Sequence, residues 1–261
     1  MTLSANDAWD GRGDEIGAEL RSFDEPVRAL IVAAAGGIGG ALVRSLLAMR
    51  SVEVVHAWSR KPPELHHPKL QPRPVDITVE SEIAAAAAHL CSVNLIVIAS
   101  GVLHRGNALQ PEKTIRQLDP ERLAEIFQVN VIGPALVAKH TVAHLPKRRR
   151  GILAAISARV GSITDNRLGG WYGYRSSKAA LNQFIRTLSI EIARTHPAAI
   201  CLGLHPGSVD TALSFPFRER VPQDRLFSPS SSAQHLLRTI DESGTDQSGR
   251  VLAWDGSEVP P

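Results

Sequence analysis

The chain has 261 residues and a mass of 28.1 kDa, which is enough for one sizeable domain with a substantial core. Hydrophobic residues make up 43% and charged residues 21% of it, a balance typical of soluble globular proteins. A net charge of only +3 argues against nucleic acid as a partner, and no apolar run approaches the ~20 residues that cross a bilayer.

The first 25 residues differ from the rest of the chain. They are polar and lack periodicity, so we expect a flexible extension over residues 1–25 and one domain over residues 26–261. The N-terminus also lacks the apolar core of a secretion signal. The two cysteines, Cys91 and Cys201, are typical of a reducing compartment. These features predict a cytoplasmic protein with no membrane partner.

From Val27 onward, strand-like runs alternate with helix-like stretches. The predicted strands are Val27–Ala34, Val52–Trp58, Leu95–Ala99, Gly151–Ile156, Ala199–Leu204 and Val251–Trp254. The predicted helices are Ile38–Met49, Ile83–His89, Pro120–His144, Tyr172–Thr195 and Ser230–Ile240. The strands are almost continuously apolar, which indicates burial on both faces. The alternation predicts a single α/β domain, a doubly wound parallel sheet with helices on both faces.

A glycine cluster joins the first predicted strand to the first predicted helix. Gly36, Gly37 and Gly39 lie in this turn, with Ile38 between them. A strand, a glycine turn and a helix in this order favour a dinucleotide site, because the backbone at Gly37 and Gly39 can approach a pyrophosphate at the helix N-terminus. The alternative is a tight turn without a ligand.

The end of the second predicted strand indicates which dinucleotide is bound. About twenty residues beyond the glycine turn, a site for NAD has a carboxylate for the ribose 2′-hydroxyl. This chain has Ser59, Arg60 and Lys61 there. Arginine attracts a 2′-phosphate and can bond it with two N–H groups, so NADP(H) is predicted. The alternative is an exposed basic turn before Pro62.

Tyr174 and Lys178 are four residues apart on the predicted helix Tyr172–Thr195, so their side chains share one face. A neighbouring ammonium stabilises a phenolate, and we therefore expect Lys178 to lower the pKa of Tyr174 enough for acid/base chemistry near neutral pH. Tyr172 has Ser176 four residues on, so the prediction concerns Tyr174 alone. By itself this spacing is common in helices; its combination with the glycine turn makes it informative.

Together these motifs resemble those of the short-chain dehydrogenase/reductase family over Val27–Trp254. Similarity is greatest to C-factor-like carbonyl reductases, through the segments SGVLH, SARVGSI and GGWYGYRSSKAALN. The family's leading Thr-Gly pair is Val32-Ala33 here. The resemblance implies a Rossmann-type fold and a homodimer formed through the two long helices, Pro120–His144 and Tyr172–Thr195.

The resemblance also implies a set of cofactor-binding residues. Asp76 matches the aspartate that contacts adenine, and the turn after the fourth strand is Ala99-Ser100-Gly101, without the family's asparagine. Val209 and Thr211 would hold the nicotinamide carboxamide. The complete implied set is Gly36, Gly37, Ile38, Gly39, Ser59, Arg60, Asp76, Ile77, Ala99, Ser100, Gly101, Asn130, Tyr174, Lys178, Pro206, Gly207, Val209 and Thr211.

The implied catalytic residues are Tyr174, Lys178, Asn130 and a serine. Asn130 would hold a helix open for a water-linked proton route to Lys178. The position of the family's serine, which polarises the substrate carbonyl, is occupied by Ala158. Ser157 can polarise the carbonyl in its place only if the strand end is twisted, since neighbouring residues on a strand face opposite sides. Ser162 is the other candidate, and a third alternative is that no serine acts.

The predicted activity is reversible hydride transfer between NADP(H) and a small carbonyl or alcohol substrate. The alternative is an NADP(H)-binding sensor or signalling protein with weak or no catalysis, which Ala158 and the turn without the family's asparagine favour. Segment Ala212–Arg225 is either an apolar lid or a loop packed on the core. No metal site is predicted, because the histidines, among them His104 and His205, lack metal-ligand spacing and are interpreted as structural or surface residues.

Overall fold

Nine strands and six α-helices form the regular structure of residues 19–220 and 222–261, which are the residues that the computed structural model describes. The strands are β1 (Val27–Val32), β2 (Val52–Ser59), β3 (Leu70–Pro74), β4 (Leu95–Ile98), β5 (Gly151–Ile156), β6 (Ala199–His205), β7 (Ser208–Val209), β8 (Leu226–Phe227) and β9 (Val251–Ala253). The helices are α1 (Gly37–Ala48), α2 (Glu80–Ala87), α3 (Pro120–Phe127), α4 (Gly133–Thr141), α5 (Tyr172–Ile192) and α6 (Pro229–Glu242). Every predicted strand is present, most of them with shifted ends. The predicted helices are present too, except that Pro120–His144 is divided into α3 and α4.

Seven of these strands form one sheet in the order β3-β2-β1-β4-β5-β6-β9, and all of its pairings are parallel. Every residue of β4 and β5 is buried, which explains their unbroken apolar sequences. The predicted doubly wound α/β domain is thus confirmed. The chain order reverses between β1 and β4, and this is the place where such sheets open a ligand crevice.

Helices cover both faces of the sheet and create two hydrophobic cores. On one face Leu46 of α1 and Leu236 of α6 are completely buried against the strands. On the other face Ile83 of α2, Val137 of α4 and Leu181 of α5 are packed in the same way. Each such side chain contributes roughly 1.5–3 kcal/mol through burial. In the described part of the chain, no helix has the length and apolar composition to cross a membrane.

Residues 19–25, which the sequence assigned to the extension, pack against the domain. Leu20 is 3% exposed and joins the core under α1. The Glu19 carboxylate accepts hydrogen bonds from the Ser51 backbone N and hydroxyl, at 3.0 and 2.6 Å. Ser22 Oγ donates to Asp241 in α6 at 2.7 Å. Residues 1–18 of the expected extension lie outside the described residues.

Candidate active site

The glycine turn lies where β1 ends, and it is too tightly packed for larger side chains. A Cβ on Gly39 would lie 2.2 Å from the Ala33 carbonyl oxygen. A Cβ on Gly37 would lie 2.6 Å from Thr211 Cγ2, so the turn touches the segment that follows β6. Ala33, which stands where the family has glycine, takes φ 60°, a conformation that is unusual for a residue with a Cβ. The turn therefore presents bare backbone at the N-terminus of α1.

The end of β2 carries the predicted selectivity residues. Ser59 Oγ donates to the Lys61 carbonyl oxygen at 2.8 Å, and the Arg60 and Lys61 side chains are exposed. Asp76 lies near enough to Arg60 for their charges to interact. Partial burial acts to raise the pKa of Asp76, but hydrogen bonds from Thr78 and the Arg60 charge outweigh it and lower that pKa. This edge of the sheet thus holds an exposed guanidinium near an ionised carboxylate.

The turn after β4 connects the crevice to α5, the helix that carries Tyr174 and Lys178. The Ser100 hydroxyl is buried and has no hydrogen-bond partner among the described residues. A Cβ on Gly101 would lie 3.6 Å from Lys178 Nζ and 3.8 Å from Asn130 Oδ1. An unpartnered hydroxyl, glycine backbone and a nearby ammonium suit a ligand that carries hydroxyls and phosphates. The residues present therefore fit a dinucleotide.

Asn130 divides the predicted helix Pro120–His144 into α3 and α4. It lies in a π-helical turn over Gln128–Ile132, a kind of bulge that is frequent at functional sites. Its Oδ1 accepts from Val102 N at 2.8 Å, and its Nδ2 donates to Val102 O at 2.9 Å and to Ser177 Oγ at 3.0 Å. Asn130 thereby links the turn after β4 with α5. Ile77 packs against the same bulge, because a Cβ on Gly133 would lie 2.8 Å from its Cδ1.

Tyr174 and Lys178 lie buried on one face of α5, 8% and 1% exposed. Lys178 Nζ is 5.8 Å from the centroid of the Tyr174 ring and donates to the Ile156 carbonyl oxygen at 2.8 Å. Burial raises the pKa of Tyr174 to about 12 and lowers the pKa of Lys178 to about 8. The prediction that Lys178 lowers the pKa of Tyr174 was therefore wrong, because desolvation of the phenolate outweighs the effect of the neighbouring ammonium. At neutral pH the phenol keeps its proton.

The serines after β5 both have partners inside the protein. Ser157 Oγ donates to Asn182 Oδ1 at 2.5 Å. Ser162 Oγ donates to the Pro261 carbonyl oxygen at 3.3 Å and accepts from Asp165 N at 3.0 Å. Ala158, between them, is extended and partly exposed. Position 158 thus faces outward from the strand end without a hydroxyl.

The segment after β6 adds an aromatic wall to the site. Gly207 has φ 77°, and Val209 is buried in the short β7–β8 pair that the sequence did not predict. Within the candidate lid, Phe217 contacts Trp171 with ring centroids 5.0 Å apart, and Trp171 in turn contacts Tyr174 at 6.2 Å. The lid segment therefore reaches the residues around the phenol.

His104 also belongs to this wall, although the sequence gave it no role in the site. Its ring lies 5.8 Å from that of Phe217, and Nε2 is 3.0 Å from the Ala212 carbonyl oxygen. A second residue without a sequence signal is Glu112, which is 4% exposed and contacts the start of α5. Among the described residues, no group of three or more His, Cys, Asp or Glu side chains is arranged to hold a metal ion.

Comparison with known proteins shows to which family the chain belongs. The model of the short chain dehydrogenase family matches residues 28–221. The chain belongs to this family. Among its relatives is the C-signal protein of Myxococcus xanthus, 36% identical over 146 residues, covering 55% of this chain and 81% of the relative. An uncharacterized oxidoreductase of Schizosaccharomyces pombe is 28% identical over 246 residues, covering 86% and 94%.

Solved structures of short-chain dehydrogenases agree with the fold. The NADPH-bound carbonyl reductase from chicken fatty liver superposes with a TM-score of 0.77 at 25% identity, covering 91% of this chain and 100% of that chain. The chain is thus a carbonyl reductase-like oxidoreductase by family and by fold.

Proposed function

We propose that the protein is an NADP(H)-dependent oxidoreductase that interconverts a small carbonyl compound and its alcohol. The proposal depends chiefly on one observation: the buried Tyr174–Lys178 pair adjoins the nucleotide crevice, with Lys178 Nζ 3.6 Å from a Cβ position at Gly101. A titratable pair buried beside a cofactor cleft is the usual arrangement of an acid/base site.

The preference for NADP(H) is supported by the exposed Arg60 and by the lack of a carboxylate at residues 59–61. The chicken carbonyl reductase, similar in fold, was crystallised with NADPH. The nucleotide is assigned to the residues already named for it, from Gly36–Gly39 through Ser59, Arg60, Asp76, Ile77, Ala99–Gly101 and Asn130 to Pro206, Gly207, Val209 and Thr211. When bound, the nicotinamide supplies hydride to the substrate carbon or accepts it.

The protein's own residues handle the proton. The Tyr174 phenol, neutral at pH 7, donates to the oxygen that becomes the alcohol, as a general acid. Lys178, with a pKa of about 8, exchanges protons near neutral pH and restores the phenol. Asn130 keeps the helix open beside Lys178. Ser157 is the proposed hydrogen-bond donor to the substrate oxygen. To donate there, its hydroxyl must rotate away from Asn182 Oδ1. Without that rotation, no serine hydrogen-bonds the substrate carbonyl.

An activity screen tests this proposal. NADPH and NADH oxidation would be followed against a panel of aldehydes, ketones and quinones, with nucleotide binding measured in parallel by fluorescence titration. We expect NADPH-dependent turnover of at least one carbonyl. Tight NADPH binding without turnover of any compound would support the second candidate, a nucleotide-bound sensor, which Ala158 and the partnered Ser157 and Ser162 hydroxyls favour.

Cofactor preference is tested by the Arg60→Glu variant. Replacing the guanidinium by a carboxylate repels a 2′-phosphate, so the dissociation constant for NADPH should rise about tenfold or more, with little change for NADH. Fluorescence titration with both nucleotides measures this. The matched control is Arg122→Glu on the exposed surface of α3. Equal effects on NADPH and NADH would refute the assignment of Arg60 to the phosphate.

We also propose a cytoplasmic homodimer. The long helical elements leave apolar side chains exposed, Ile132 at 43% and Ile190 at 51%, and pairing would cover them. Sedimentation equilibrium decides between a dimer and a monomer. Reducing surroundings suit Cys91 and Cys201, which are free thiols.

A further inference from the structure

A buried carboxylate outside the proposed cofactor site contacts the start of α5. Glu112 is only 4% exposed, and its Oε2 accepts a hydrogen bond from the Gly173 backbone N at 3.2 Å. A carboxylate is costly to bury unless it is hydrogen-bonded. This contact ties the loop before α3 to the helix that carries Tyr174.

The helix α5 lacks a capping side chain of its own. Trp171 occupies the position before the first turn and makes no side-chain cap, and the first turn contains no Asp or Glu. The first N–H groups of a helix have no partner within it and carry partial positive charge. Glu112 therefore supplies, from a distant loop, the acceptor that the local sequence does not provide.

Glycine at position 173 allows this close approach. A Cβ there would lie 2.9 Å from Glu112 Oε1 and 2.8 Å from Ile126 Cδ1. A larger residue would displace the carboxylate from the helix terminus. The small residue and the buried carboxylate thus form one arrangement, although they are far apart in sequence.

Glu112 also holds Trp171 through its backbone. Its carbonyl oxygen accepts from Trp171 N at 2.5 Å. Trp171 has φ 53° and ψ 44°, a left-handed conformation that a bulky residue keeps only when its surroundings impose it. In this conformation the indole packs edge-on to the Tyr174 ring and against Phe217.

We propose that Glu112 is a positioning residue: it fixes Trp171 and the first turn of α5, and through them orients Tyr174 toward the substrate. Its action depends more on the reach of an acceptor oxygen to Gly173 N than on negative charge. The kinetic part of this inference rests on the proposed function.

Two substitutions separate reach from charge. Glu112→Gln keeps an acceptor oxygen at the same distance, whereas Glu112→Asp keeps the charge and is one methylene too short. We expect Glu112→Asp to lower kcat/KM for NADPH-dependent reduction about 10- to 100-fold, mainly through kcat, with NADPH affinity unchanged. Glu112→Gln should stay within about threefold of the wild type. Glu121→Asp, at an exposed site on α3, is the control.

A readout independent of turnover completes the test. The near-ultraviolet circular dichroism of each form is compared with that of its Trp171→Phe counterpart, and the difference reports how well Trp171 is ordered. Glu112→Asp keeps the backbone carbonyl that binds Trp171 N but loses the side-chain contact with Gly173 N, so it should reduce this difference. Glu112→Gln should keep it. The proposal is overturned if Glu112→Asp matches the wild type, or if Glu112→Gln is as impaired as Glu112→Asp. Absence of turnover in the wild type would instead count against the proposed function, and the spectral comparison would still decide the role of Glu112.

Discussion

In the proposed active site, Ala158 offers the substrate no side-chain hydrogen-bond donor. Its extended, partly exposed position at the end of β5 would let a hydroxyl reach outward, which Ser157 and Ser162 do not do. A well-aimed donor to a developing oxyanion is worth roughly 3 kcal/mol. Ala158→Ser should therefore raise kcat about tenfold or more, measured by NADPH oxidation. Ala198→Ser, remote from the site, is the control. An unchanged kcat in Ala158→Ser would show that a hydroxyl at position 158 does not reach the substrate oxygen.

At the residue scale, spacing predicted positions but not energies. The separation of four residues places Tyr174 and Lys178 on one face of α5, as expected. The pKa direction of Tyr174 was wrong because burial is a tertiary property: its phenol is desolvated by segments distant in sequence. Glu112 escaped prediction for the same reason, since only the folded chain brings it to Gly173. The one local signal for such a residue was the start of α5, where the sequence offers no capping side chain and no Asp or Glu in the first turn.

At the scale of elements, the glycine turn makes a sharp prediction. In Gly39→Ala the new Cβ would lie 2.2 Å from backbone at Ala33, so the turn must shift. We expect the free energy of unfolding to fall by about 2 kcal/mol or more and NADPH binding to weaken. Thermal melts and fluorescence titration measure the two effects.

Gly40→Ala is the matched control for that substitution. Its Cβ would meet Ala34 O at an ordinary 3.4 Å, and alanine favours helix over glycine by up to about 1 kcal/mol. It should be neutral or stabilising. Similar losses in Gly39→Ala and Gly40→Ala would contradict the close-packed turn.

The elements that the sequence missed have physical reasons for being missed. β3 contains Pro72 and Pro74, which argue against a strand, yet β3 is an edge strand, where proline is tolerated. The helix predicted over Pro120–His144 is interrupted by a π turn around Asn130, which apolar periodicity does not reveal. β7 and β8 have two residues each, too few for a pattern.

For the whole molecule, His205 predicts sensitivity to acid. Burial, with a smaller effect from Arg159, lowers the pKa of His205 to about 4 from 6.5, and Asp255 opposes this. Its Nδ1 has no hydrogen-bond partner among the described residues. The unfolded chain protonates His205 more readily than the folded protein does. The stabilisation from neutral His205 is therefore fully present above pH 6.5. As the pH falls from 6.5 to 4, the free energy of unfolding decreases by on the order of 3 kcal/mol.

Urea unfolding at several pH values measures this loss. His205→Asn removes the titrating ring, so its free energy of unfolding should fall less steeply over the same pH range. Identical slopes for the variant and the wild type would show that other groups cause the acid sensitivity.

The global architecture followed from the sequence more completely than the site did. Near-continuous apolar runs such as Gly151–Ile156 require two covered faces, and alternating helices provide them, so the doubly wound sheet was predictable. The packing of Leu20 under α1 was not, because residues 19–25 show no periodicity. The aromatic wall joining His104, Phe217 and Trp171 likewise depends on loops whose paths only tertiary contacts define.

The most direct measurement is the activity of Tyr174→Phe beside its affinity for NADPH. This variant loses one hydroxyl and keeps the ring that packs on Trp171. We expect turnover to fall by about 1,000-fold or more while the dissociation constant for NADPH changes by less than about twofold. Turnover close to that of the wild type, in a variant that still binds NADPH, would show that the phenol is not the proton donor.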